Sequence, residues 1–189
     1  MKNIGILLFD QVEELDFIGP LEVLGLLQRM KPDTVNVFTV ALAPKAVRCA
    51  FQLQVIPEYS FLNCPPVDIL VVPGGRGART AMHDSHILEF VKTRAAQADL
   101  VTSVCTGSLI LAGAGLLHDK RATTHGAALE ELRKFASVRV EHQRYIHEGK
   151  IITAGGISSG IDMAFYLVEL LCGTEVRDDV AQRMEYRLS

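Results

Sequence analysis

A chain of 189 residues, 49% hydrophobic and 22% charged, has the composition of one globular domain with a sizeable core, which excludes an intrinsically disordered chain. Nineteen basic residues against 22 acidic ones give a formal charge of −3, so the basic excess of a protein that grips a phosphate backbone is missing and no nucleic-acid partner is expected. No apolar run approaches the ~18 residues of a membrane span, so no membrane partner is expected either.

The first ten residues, MKNIGILLFD, resemble the apolar part of a signal peptide. Asp10, Glu13, Glu14 and Asp16 follow where a small-residue cleavage site belongs, so residues 3–9 read as a buried strand instead. Apolar residues at helical spacing predict a helix over 17–30. Short aliphatic runs at 35–42, 67–72 and 100–104 predict central strands, with helices at 87–98 and 109–117. Nearly continuous hydrophobicity in those strands is the mark of a parallel sheet covered on both faces. The expected fold is therefore α/β, a doubly wound, mostly parallel sheet with helices on both faces, in a single domain over residues 1–189. Residues 47–56 and 138–153 break the alternation and are expected as antiparallel additions to the sheet edge. The second has its turn at Glu148-Gly149-Lys150. A helix over 161–171 and an amphipathic last helix over 175–187, separated by Gly173, complete the chain.

In open α/β sheets ligands bind beyond the carboxyl ends of the strands, so the residues that end each strand are the candidates for chemistry. Cys105, in TSVCTGSLIL, falls at a strand-to-helix junction, where free backbone N–H groups and the helix dipole are expected to lower a thiol pKa and stabilise an oxyanion. The alternative is a small buried hydrophobe. Cys49, Cys64 and Cys172 read as structural. The absence of CxxC spacing predicts no zinc site and no disulfide framework, as in a cytoplasmic protein. Pro73-Gly74-Gly75 ends another strand and is expected to aim a Gly75 amide into the crevice, or else to form an ordinary turn. Glu13-Glu14-Leu15-Asp16-Phe17 follows the first strand, and acids there are favoured by the helix dipole alone. His125 is expected either to face the crevice or to be a hydrogen-bonded structural residue. In the loop from Gly155 to Asp162, Gly156 and Ile157 are expected to line the pocket, with close strand-to-helix packing as the alternative for the glycines. No nucleotide-binding glycine motif is present, so no cofactor is expected, and His83, His86, His118, His142 and His147 lack ligand-like grouping, so no metal is expected.

The stretches EELDFIGPLEVL, VDILVVPGG, SVCTGSLILAGAGLL, RATTH and TAGGISSGIDMAFYLVELL resemble the ThiJ/PfpI superfamily, also called the DJ-one superfamily, over nearly the whole chain. They are most similar to the branch that holds isonitrile hydratase and the amidase-like domains of AraC-type regulators. The resemblance implies a flavodoxin-like fold related to class I glutamine amidotransferases. It also implies that Cys105 is the nucleophile, that Asp16 is hydrogen-bonded to its sulfur, that the backbone near Gly75 and Thr106 forms the oxyanion site, and that the protein is a homodimer. Thr106 stands where peptidase-like members have His, and Asp16 where they have Glu, which argues against peptidase activity. Gly126 replaces an aromatic residue common in relatives, and the basic helix-turn-helix region of the regulators is not expected. The resemblance thus implies a cofactor-free lyase that adds water to a small isonitrile to give an N-substituted formamide. A non-enzymatic small-molecule or redox sensor, or hydration of a reactive carbonyl such as methylglyoxal, stands as the alternative.

Overall fold

The computed structural model describes residues 1–188. Strand β1 (Lys2–Leu7) is buried continuously from Ile4 to Leu7 rather than at alternate positions, as a strand covered on both faces must be. Around it lie β2 (Val35–Ala41), β3 (Tyr59–Ser60), β4 (Ile69–Val72), β5 (Leu100–Val104), β6 (Tyr145–Glu148) and β7 (Ile151–Ala154). They form one seven-stranded sheet in the order β6-β7-β5-β4-β1-β2-β3. Every pairing is parallel except β6 with β7. Register is set by apolar pairs such as Ile4 with Val37 on one side and Ile4 with Ile69 on the other.

Helix α1 (Glu14–Met30) packs along α4 (Ser159–Cys172) and α5 (Thr174–Arg183). Helices α2 (Ser85–Gln97) and α3 (Gly107–Gly113) pack with the short helices Ala78–Ala81 and Leu129–Arg133 as a second group. The expected doubly wound, mostly parallel architecture is therefore present. Helix α1 begins at Glu14, three residues ahead of its expected start, so Asp16 lies in its first turn. Pro20, inside α1, has no N–H to donate to the Asp16 carbonyl, so that turn lacks one helical bond.

Several elements differ from the reading of the sequence. Residues 47–56 do not join the sheet edge. Val47–Arg48 pairs with Gln54–Val55 as a separate antiparallel ribbon. Bonds from the Gln11 N–H to the Arg48 carbonyl and from the Ala50 N–H to the Val12 carbonyl tie this ribbon to the segment after β1. Only 145–154 of the expected hairpin belongs to the sheet, and its second strand is interior, parallel to β5. Arg139–Val140 instead pairs with Arg121–Ala122 in a small parallel sheet. Helix α3 stops at Gly113 rather than residue 117, and α5 stops at Arg183 rather than 187. The edge strand β3 is only two residues long, too short for a periodicity to be read. Among the described residues no helix is long and apolar enough to cross a membrane.

Candidate active site

The carboxyl ends of β1, β4, β5 and β7 are neighbours in the sheet, so the segments that follow them converge although they are far apart in sequence. Cys105 follows β5 with φ of 55°, a left-handed conformation costly for a residue with a Cβ. Its surroundings hold it there. The Cys105 N–H donates to the carbonyls of Ala154 at 3.1 Å and Gly155 at 2.8 Å, and its own carbonyl accepts from the hydroxyls of Ser108 at 3.2 Å and Thr124 at 3.0 Å. A strained turn with four such bonds is a nucleophile elbow in geometry.

Asp16 is fully buried beside this elbow. Its Oδ2 accepts the Gly74 N–H at 3.0 Å, its Oδ1 is buried without a well-formed partner, and the Cys105 thiol bears on the carboxyl as a hydrogen-bond donor. Burial is the largest influence on the acid and pushes it up to about 7, the Glu13 charge adds to the rise, and the Gly74 N–H and the thiol oppose it.

The sulfur does not have the depressed pKa expected of a helix N-terminus. Burial first, and the Asp16 charge second, push the Cys105 thiol up to about 12, against the N–H groups of Thr106 and Ile157 and the Thr106 hydroxyl. Burial also raises Cys49, to about 11, as well as Cys64 and Cys172. Asp16 and Cys105 form a coupled pair that holds one proton and one negative charge between these limits. The donors around Sγ favour the charge on sulfur when the proton sits on Asp16.

Gly75 departs from its expected role in one respect. It lines the pocket, but its N–H donates to Thr106 Oγ1 at 2.9 Å, while that hydroxyl faces the Gly75 carbonyl at 3.1 Å. The amide is engaged rather than free. Its φ of 123° is one only glycine adopts readily, and a Cβ there would lie 2.4 Å from the Glu13 nitrogen.

His125 caps the turn Gly126–Ala128 by accepting the Ala127 N–H on Nδ1 at 3.1 Å. In the neutral ring the remaining hydrogen is then on Nε2. The ring lies against Gly156, where a Cβ would meet His125 Cδ2 at 2.3 Å. Gly156 therefore makes room for the histidine.

Cys105, Thr106, Gly75, His125 and Ile157 line a pocket of about 260 Å³. Asp16 stands behind the sulfur and Gly156 behind the histidine, neither on the pocket wall. The wall also includes Glu13, Arg76 and Arg79, and Arg79 pairs with Glu131 at 2.7 Å. No spacing in the sequence marks Arg79 or the Thr124 bond, which tertiary packing brings to the site, whereas Arg76 directly follows Gly75. A larger hollow of about 430 Å³, lined by Phe9, Leu42, Val47 and Ile87 among others, contains none of the elbow residues. Size alone does not make it the reactive site. No group of three or more metal-ligating side chains occurs among the described residues.

A flavodoxin-like sheet carrying a buried thiol on a strained elbow, with a buried carboxyl group beside it, defines a class of α/β proteins organised around one cysteine. Residues 2–170 match the DJ-1/PfpI family, and the chain belongs to that family. It is 43% identical to isonitrile hydratase of Pseudomonas putida over 185 residues, which are 97% of this chain and 78% of that protein. It is 26% identical over 187 residues to the HTH-type transcriptional regulator GbdR of Pseudomonas aeruginosa, covering 98% of this chain and 51% of the regulator. Among solved structures, a ThiJ/PfpI family protein from Pseudomonas syringae superposes with a TM-score of 0.91 at 29% identity, covering 100% of this chain and 76% of that one. Drosophila melanogaster DJ-1beta, at 22% identity, shares the fold with a TM-score of 0.87 over 98% of both chains.

Proposed function

We propose that this protein, as a single domain over residues 1–189, hydrates a small isonitrile to an N-substituted formamide by a cofactor-free route with Cys105 as nucleophile. The observation that carries this reading is the buried Asp16–Cys105 pair at the base of a pocket, in a chain 43% identical to an isonitrile hydratase. Transfer of the thiol proton to Asp16 creates a thiolate held by the N–H groups of Thr106 and Ile157. Sγ attacks the terminal isonitrile carbon, and Asp16 delivers its proton to that carbon, giving a thioimidate. Asp16, now a carboxylate, takes a proton from water as the oxygen adds to the same carbon. The substrate nitrogen gains that proton, the new hydroxyl gives up its own as the carbon–oxygen double bond forms and the carbon–sulfur bond breaks, and that proton returns to sulfur through Asp16, so the formamide leaves with the thiol restored. An acid whose pKa is near 7 exchanges protons in both directions at neutral pH. In this reading the Nε2–H of His125, on the pocket wall, donates to the nitrogen or the new oxygen, and Ile157 supplies apolar wall for the substituent.

A sensor needs only a reactive thiol, whereas turnover also needs a neighbouring group that takes up and returns a proton, and the buried Asp16 carboxyl at about 7 beside Cys105 favours turnover. Incubation with an aliphatic isonitrile and chromatographic measurement of the formamide tests the reading. Wild type is expected to turn over, with Cys105→Ser and Asp16→Asn reduced at least about a hundredfold. A wild-type enzyme inactive on aliphatic and aromatic isonitriles alike overturns it. Four free cysteines among the described residues accord with a reducing, cytoplasmic setting.

We also propose a homodimer, with a contact that does not run through the apolar residues Phe17, Ile18 and Leu21 of α1. Phe17 is buried, and Ile18 and Leu21 are half-buried in the core. The apolar surface lies instead on the 47–56 ribbon and the start of α1, where Phe51 is 75% exposed and Ile56 74%, with Leu15 and Leu53 also exposed. A second copy of this chain is the occupant that symmetric pairing favours.

A further inference from the structure

We infer that Arg144 is a positioning residue that holds the Ile157 N–H on the Cys105 sulfur, by gripping the loop between β7 and α4 at both of its ends. The inference rests on the reading of Cys105 as the nucleophile.

The Arg144 carbonyl accepts the Gly155 N–H at 2.9 Å. Its guanidinium donates from both terminal nitrogens to Ser158 Oγ at 3.2 Å. Gly156 and Ile157 are the two residues between these holds. Ile157 lines the pocket together with Cys105, where its N–H is one of the groups that oppose the rise of the thiol pKa, and Gly156 lies against the His125 ring.

Two features separate this arrangement from ordinary helix capping. Ser158 is the N-cap residue of α4, yet its side chain makes no cap bond. A serine there normally accepts an N–H from the first turn, and here its oxygen is turned to Arg144. Asp162, in the first turn of α4, would ordinarily be a solvated acid favoured by the dipole. It is instead 8% exposed, accepting the Arg144 Nε–H on Oδ2 at 2.6 Å and the Tyr186 hydroxyl on Oδ1 at 2.8 Å. Tyr186 in turn stacks on Phe165 with ring centroids 5.0 Å apart. A chain of contacts thus runs from the C-terminal segment through Tyr186, Asp162, Arg144 and Ser158 to the donor at the sulfur.

The test measures the rate of Cys105 alkylation by iodoacetamide against pH, the melting temperature, and kcat and KM for an aliphatic isonitrile. The titratable and charged groups around the sulfur and its pocket are Asp16, Glu13, His125, Arg76 and Arg79, and all stay unchanged in the variants. Ser158→Ala removes only the grip on the loop and is expected to keep the melting temperature. It should slow alkylation at pH 7 about threefold to tenfold, shift the alkylation profile to higher pH, and lower kcat by a similar factor with KM nearly constant. Tyr186→Phe is expected to give a smaller shift in the same direction. Arg144→Lys, which retains the charge opposite Asp162, should restore part of what Arg144→Gln loses. If Arg144→Gln fails to fold, Ser158→Ala and Tyr186→Phe decide the matter. The inference is overturned if Ser158→Ala matches wild type in alkylation profile and kcat. Because alkylation needs no isonitrile, an enzyme inactive on isonitriles that still shows the Ser158→Ala shift would fail the proposed activity and leave the positioning role standing.

Discussion

Asp16→Asn separates the chemistry of the buried acid from its cost to the fold. The Asp16 carboxyl rises from the usual 3.8 to about 7 in the native protein, so the folded state binds this proton more tightly than the unfolded state does. Stability from this group is fully present below pH about 3.8 and is lost as the pH rises through about 7. Converted at about 1.4 kcal/mol per pH unit, the whole loss is about 4 kcal/mol, of which about 2–3 kcal/mol develops between pH 5 and 8. Asparagine is neutral throughout that window. Its oxygen can still accept the Gly74 N–H, while its amide hydrogens impose a cost that does not change with pH. Thermal melts of both proteins at pH 5, 6, 7 and 8 should therefore show the melting temperature of Asp16→Asn gaining on wild type by about 5–10 °C across the series. All other ionisable groups are common to the two proteins and cancel in the difference. The variant should lose turnover at every pH while its stability relative to wild type rises with pH. A difference in melting temperature that stays constant from pH 5 to 8, or one that moves in favour of wild type, would refute the assignment of a raised pKa to Asp16.

Gly75→Ala forces a Cβ to within 2.4 Å of the Glu13 nitrogen and 2.5 Å of the Gln11 carbonyl oxygen at a φ of 123°. Backbone cannot yield as a side chain does, so a loss of about 3 kcal/mol or more is expected in denaturant unfolding. Gly156→Ala meets the His125 ring at 2.3 Å, and because that ring borders open pocket it can swing away. The expected result is a melting temperature within about 3 °C of wild type, with kcat reduced several-fold. Phe51→Asp combined with Ile56→Asp places two charges on the exposed apolar ribbon and should convert the proposed dimer to a monomer in light scattering, with the fold retained by circular dichroism.

The sequence by itself determined the sheet and its class. Runs such as ILVV in β4 are apolar without alternation, and only a strand covered on both faces makes that pattern favourable. It also placed Cys105 at a strand-to-helix junction and the acidic segment after β1, since both follow from where hydrophobic runs end. Its motifs marked the family. The sequence was silent where the outcome depends on distant groups meeting. The 47–56 ribbon alternates well enough to read as an edge strand, but its turn and its bonds to Gln11 and Val12 carry it over the site end of the sheet. The thiol pKa turned on the same kind of fact. A helix N-terminus lowers it in isolation, and the burial of Cys105 beside Asp16, 89 positions earlier in the chain, reverses the sign. Local patterning decides which residues are apolar and where the chain turns, because those are near-neighbour properties of the backbone and side chains. Desolvation and charge coupling depend on what the fold packs around a group, so the proton shared by Asp16 and Cys105 was decided only by the tertiary structure.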